Sequence, residues 1–150
     1  MARHIWSVLC QSVLIDQFSN SMSFIQAIEG LSVPHVPASA PQMMVGTLWI
    51  RTGKESQLLS RIRILDPHGK VANIVENKPA SLALPRSRTI TVLGGFPLVA
   101  AGIYSLVVES KQDGAWVDEA TIPFEVSIVT PAELSAIVEK RAAAATTPIQ

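Results

Sequence analysis

Apolar and polar side chains alternate with a period of two along much of the chain. In SRIRILDPHGK, Ile62 and Ile64 alternate with Arg61 and Arg63 until the run meets Asp66-Pro67-His68-Gly69. Proline at the second position of a turn, with glycine two residues later, ends a strand and reverses it. In RSRTITVLGG, Ile90 and Val92 alternate with Thr89 and Thr91, and the run stops at Gly94-Gly95. In ATIPFEVSIV, Ile122, Phe124, Val126 and Ile128 alternate with Thr121, Pro123, Glu125 and Ser127. Such alternation predicts strands with one buried face, the habit of antiparallel sheets. Pro123 has no N–H to give a ladder, so its strand lies at an edge or bulges there.

Less regular apolar runs predict further strands over residues 4–15, 21–32, 43–51, 71–76 and 102–110. The polar residues 16–21 turn the chain between the first two, and Gln112-Asp113-Gly114 reads as a hairpin turn because Asp-Gly tolerates positive φ. About eight strands at short spacing predict an all-β antiparallel sandwich, or failing that a barrel. Two loops break the rhythm. Residues 34–42 carry Pro34, Pro37 and Pro41 and should be extended; residues 77–88 are long enough to cross between sheets in a Greek key. Long loops on a rigid scaffold are where binding usually sits.

The period then changes. Thr130 is placed to cap a helix, with Pro131 at its first position and Glu133 completing a capping box. Leu134, Ile137 and Val138, with Arg141 beside them, fall on one face, and the helix runs out through the alanines near Thr147-Pro148. The chain therefore divides into a β-sandwich over residues 1–129 and a short C-terminal helix with a frayed tail over 130–150. The helix's apolar face needs cover, either from its own sheets or from a second copy in a homodimer.

Composition adds a little. A chain of 150 residues suits one domain. Only 16% of residues are charged while 48% are hydrophobic, against a charged share of about 25% in typical domains. That thin charge leaves apolar surface exposed and favours self-association. Twelve basic residues balance twelve acidic ones, so no net field steers the protein to nucleic acid or an anionic membrane. Cys10 is the single cysteine, which excludes an internal disulfide and fits a reducing, cytoplasmic setting. The apolar run from Ile5 to Cys10 is shorter than the roughly 7–15 residues of a signal-peptide core. No run approaches the ~18 apolar residues of a membrane span.

Catalytic chemistry is hard to find. His4, His35 and His68 are scattered, and neither C-x-x-C nor H-x-x-x-H occurs, so neither metal nor cofactor is expected. Cys10 lies in an apolar strand and reads as core filler. No G-x-S-x-G is present, and LGGFP lacks the spacing of a phosphate loop. Glu109, Asp113, Asp118 and Glu119 read as solvated hairpin residues. Arg61, Arg63, Arg86 and Arg88 read as a solvated strand face, with an anion site as their other use. Trp116, beside the hairpin turn, is the candidate for an exposed contact residue, against burial in the core. These features point to a non-catalytic interaction or structural module with a protein partner. The alternative is a sandwich that binds a small ligand or carbohydrate, on a concave sheet face or between the two long loops. An exposed tryptophan flanked by polar side chains in a pocket would mark it. A third possibility is a hydrolase assembled from distant residues, such as His68 with two carboxylates.

AAGIYSLVVE places Gly102 two residues before Tyr104. It resembles the G-x-Y start of the penultimate strand in immunoglobulin-like sandwiches, which implies that fold and a tyrosine hydroxyl bonded back to nearby backbone. No Cys…Trp…Cys pattern accompanies it, so an antibody-type domain is excluded. More broadly, VLCQSVLIDQFSNSMSFIQAIEGLSVP, DPHGK and GIYSLVVESKQDG…IPFEV follow one another. In that order they resemble an uncharacterised bacterial and phage family of small all-β proteins of unknown function. Its apolar strand carrying a cysteine precedes a second that ends before a proline, places taken here by Cys10 and Pro34. Gln11 and Ser12 stand where the family carries acidic residues. The resemblance implies a fold and no activity.

Overall fold

The computed structural model describes residues 1–146. The strands in chain order are β1 (Ala2–Ile15), β2 (Met22–Ala27), β3 (Gly30–Val33), β4 (Ala38–Ser39), β5 (Met43–Arg51), β6 (Gln57–Leu58) and β7 (Ser60–Leu65). After them come β8 (Val71–Glu76), β9 (Ala80–Ser81), β10 (Arg86–Leu93), β11 (Pro97–Leu98), β12 (Gly102–Gln112), β13 (Ala115–Ile128) and the helix α1 (Pro131–Ala145). The fold is mostly β, as the alternation predicts. Four strands form one sheet in the order β10-β5-β1-β2, and five form another in the order β3-β13-β12-β7-β8. The two long loops are not wholly irregular: β4 pairs with β11, and β9 with β6.

The two larger sheets share one core. Leu9, Val45, Trp49 and Leu93 enter it from the first sheet; Ile62, Ile64, Tyr104, Leu106, Phe124 and Val126 enter from the second. Each such side chain contributes roughly 1.5–3 kcal/mol by leaving water. Polar side chains on the inward faces are paired with one another. Ser7 Oγ lies 2.9 Å from His4 Nε2 and 2.8 Å from Thr47 Oγ1, and Trp49 Nε1 donates to Thr89 Oγ1 at 3.0 Å. Thr91 Oγ1 donates to Asn77 Oδ1 at 2.8 Å, and Asn77 Nδ2 donates to Ser60 Oγ at 3.0 Å. No buried side-chain nitrogen or oxygen among the described residues lacks a partner, as burial requires.

Several expectations hold in detail. The Asp113-Gly114 turn has φ of 48° and 83°, the two positive values of a tight hairpin turn. Tyr104 Oη donates to the Ala100 carbonyl at 3.0 Å, the back-bond that the G-x-Y resemblance implies. Pro123 lies on the half of β13 that β3 leaves unpaired, because β3 joins only from Glu125 onward. Thr130 and Glu133 form the capping box, with Glu133 N donating to Thr130 Oγ1 at 3.2 Å and Thr130 N to Glu133 Oε2 at 2.7 Å.

Other expectations are corrected. Residues 21–32 are not one strand. Gln26 takes a φ of 52°, the chain leaves the four-stranded sheet, and β3 enters the five-stranded one. There it runs parallel to β13, so the architecture is not purely antiparallel. Gly30 sits where an added Cβ would lie 3.1 Å from the Glu125 carbonyl, which explains a residue without a side chain at that crossing. The helix α1 buries none of its residues, and Leu134, Ile137 and Val138 stay exposed. Its last turn closes at Thr146, and the expected stop near Thr147-Pro148 lies outside the described residues.

Candidate functional site

The central strand β5, MMVGTLWIR, carries apolar residues at both parities, so the four-stranded sheet is apolar on its outer face as well as its inner one. Strand register sets the outer rows. Trp6, Leu48 and Arg88 lie in line across β1, β5 and β10; Arg3, Ile50 and Arg86 form the next row; Val8, Gly46 and Ile90 form the row beyond.

This sheet curls over its own outer face. The Phe24 ring of β2 contacts Trp6 edge-on, with centroids 5.5 Å apart. It also lies so close over Gly46 that an added Cβ would sit 2.5 Å from a ring carbon. Glycine is what lets β2 fold over β5. From the far edge, Arg88 donates to the Asn20 backbone oxygen at 2.8 Å and to Asn20 Oδ1 at 2.6 Å. Asn20 holds a φ of 55° in the β1–β2 turn, a conformation asparagine tolerates better than most residues.

The curl encloses a groove of about 890 Å³, within the roughly 300–1,000 Å³ of small-molecule sites. Trp6, Met22, Leu48, Leu84 and Ile90 make its apolar lining, and Arg86 and Arg88 line it together with Asn20, Ser21 and Ser87. No acidic residue lines it. Arg86 is exposed, as is Arg3 in the same row, and neither forms an ion pair among the described residues. A second hollow of about 120 Å³ lies by the β12–β13 turn, between Glu55, Gln57, Ser110 and Gln112.

The four arginines singled out in the sequence are therefore not one cluster. Arg61 and Arg63 belong to the other sheet and are not a solvated face. Arg61 Nε and Nη2 donate to the two oxygens of Glu109 at 2.6 and 3.2 Å. Arg63 Nε lies 3.3 Å from Glu109 Oε1, and its Nη2 donates to Asp118 Oδ1 at 3.0 Å. Glu109 is only 3% exposed, which corrects its reading as a solvated hairpin residue. Burial pushes its carboxyl up, but the bonds and charges of Arg61 and Arg63 outweigh that and hold it below the usual carboxylate range. For Arg63, burial pulls the guanidinium down while Glu109 and Asp118 carry it above its ordinary value. Trp116 is half-buried, neither core nor freely exposed. Arg61 lies 4.3 Å from its ring centroid and the Lys111 ammonium 5.7 Å, so its indole face is already occupied by cations of its own sheet.

The histidines stay apart. His4 lies half-buried in the core, edge-on to Trp49 at 5.7 Å. Burial lowers its pKa, with Glu119 opposing. Although His4 and Ser7 touch, the Ser7 hydroxyl is shared with Thr47, and neither residue lines the groove. His35 and His68 are exposed on separate loops. Cys10 is buried, its thiol donating to the Ser12 and Met44 carbonyls at 3.3 and 3.6 Å. Burial raises its pKa, partly offset by the bond to Ser12. Among the described residues, no group of three or more His, Cys, Asp or Glu is placed to hold a metal, and no helix is long and apolar enough to cross a membrane.

Trp6, Leu48 and Ile90 were not visible as site residues in the sequence. The available signal was the apolar character of β5 at both parities, which a one-faced strand does not need.

Fold and groove together define a mostly β protein with a ligand-sized hollow on the outside of a curled sheet. Residues 5–127 match the model of a family of unknown function (DUF6941), and the chain belongs to that family. No curated protein matches it.

Proposed function

We propose that this protein is a non-catalytic binding module that works through the groove of the four-stranded sheet. One observation carries the proposal: a concave, largely apolar hollow of about 890 Å³ is bordered by arginines that no acid among the described residues neutralises. A fold whose only task was to be stable would gain from closing such a surface. The two sheets are taken as an immunoglobulin-like sandwich, which the shared core and the Tyr104 back-bond support. The single, buried Cys10 supports a cytoplasmic setting. Titrating the labelled protein with a panel of apolar and amphiphilic small molecules, followed by amide and indole NMR, tests the assignment. Shifts should gather on Trp6, Leu48 and Ile90, and should survive alanine at His35 or His68. A panel that moves none of those signals would sink it.

Self-association is a second reading, favoured by α1. The helix is capped at both ends and buries nothing, and it presents Leu134, Ile137 and Val138 to solvent at 51%, 41% and 59% exposure. A second copy is the partner taken for that stripe. Light scattering should give twice the chain mass, and serine at all three positions should return it to one. A monomer at every concentration would dismiss this reading and leave the groove untouched.

A further inference from the structure

We infer that the occupant of the groove is a free linear hydrocarbon chain ending in a carboxylate, with Arg86 as the contact for its head. This rests on the groove being the working site and names the class of its ligand.

The lining separates into two parts. Trp6, Met22, Leu48, Leu84 and Ile90 offer hydrocarbon and an indole, with few hydrogen-bonding groups among them. A sugar or a peptide backbone would lose hydrogen bonds to water there without replacement, and that loss is costly. A hydrocarbon chain loses none. The polar part holds Asn20, Ser21 and Ser87 with two arginines as its only charges, and the arginines differ. Arg88 spends two of its donors on Asn20, which fixes the β1–β2 turn against β10. Arg86 stands one row further along the same face, exposed, with no partner among the described residues. Its planar fork matches a carboxylate through two parallel bonds. Arg3, in the row of Arg86, adds positive charge without a neutralising acid among the described residues. A ligand with a cationic or neutral head would leave that field unanswered. The sheet curls around its own face, with Phe24 and the β1–β2 turn folded over it. That concavity suits a single chain and not the flat surface of a bilayer.

Isothermal titration calorimetry with sodium dodecanoate and with dodecan-1-ol, both below aggregation, tests the inference on the whole chain. Dodecanoate should bind one to one. Affinity should rise about three- to fourfold per methylene from octanoate to dodecanoate, the increment of a buried CH₂. Arg86→Gln should weaken dodecanoate about tenfold and leave dodecanol unchanged, because it removes a charge-assisted bond. Ile90→Glu, at an exposed position, should abolish both. If dodecanol matches dodecanoate, or Arg86→Gln has no effect, the carboxylate assignment is overturned while binding in the groove stands. If neither probe binds the unaltered protein, the hydrocarbon class itself is wrong, and the NMR panel decides separately whether the groove binds anything.

Discussion

Two stretches of this chain carry the same short pattern, arginine–X–arginine on a strand, and meet opposite fates. In β7, Arg61 and Arg63 face β12, where Glu109 lies directly across from Arg61. Both guanidinium groups close on that one carboxylate, and Trp116 stacks on Arg61. In β10, Arg86 and Arg88 face β5, where the residues across are Ile50 and Leu48. No carboxylate among the described residues answers them. The motif is the same; the neighbouring strand decides whether it becomes a structural clamp or an open anion site. Charge on a strand is informative only once its cross-strand partner is known.

The contrast can be broken most forcefully at Glu109. Glu109→Ala would leave Arg61 with no carboxylate and Arg63 with Asp118 alone. Because both guanidinium groups are partly exposed, the loss should fall near the lower end of the about 3–5 kcal/mol that breaking a buried pair costs. Urea unfolding should show a loss of that size. A loss below about 1 kcal/mol, the level of an exposed pair, would mean the clamp is no clamp.

A smaller effect is expected from pH. The pKa of His4 is lowered in the fold, chiefly by burial, so the unfolded chain binds a proton more readily than the native one. Stability should therefore fall as pH drops through the ordinary histidine value near 6.5 and level off below the folded value. The Glu109 carboxyl, held below its usual range, contributes stability above the ordinary value near 4.5 that is lost as pH falls further. Thermal melts from pH 8 to 4 should show the first decline in the native protein and lack it in His4→Gln. An identical profile in the two would refute the assignment to His4.

The least effect on stability belongs to Arg86. Arg86→Ala should change unfolding free energy by no more than about 0.5 kcal/mol, as at other exposed positions without partners. A larger loss would show that β10 uses this side chain to hold the sheet, and would return it to the same class as Arg61.

How far the sequence could be read follows from the same facts. Alternation in β7 and β13 gave their positions and buried faces, since a period of two is a local property. In β10 it gave the position but the opposite face, because Thr89 and Thr91 are buried while Ile90 and Val92 are exposed beside the groove and on the outer face. The capping box and the Asp-Gly turn are equally local. The break between β2 and β3 was not legible, because an apolar run continues through both, and only pairing with β13 separates them. The Arg61–Glu109 pair spans strands 48 positions apart, and spacing in the chain does not reveal register. Arg86 and Arg88 were legible as surface charge, but their place beside a groove was not. That depends on a sheet curling until Arg88 reaches Asn20, 68 positions away. Trp116 was sought as a contact residue, while Trp6 held the position beside the hollow.

The parallel pairing of β3 with the last quarter of β13 also bears on the order in which the molecule can be completed. The ladder joins Gly30–Val33 to residues 125–128, so an early segment waits for the end of the last described strand to be synthesised. On a ribosome, the first three strands would emerge with one flank bare, and closure of such distant pairings is slow. A stop codon anywhere before residue 125 would yield a nascent product with that flank permanently open, a natural target for chaperones and proteases.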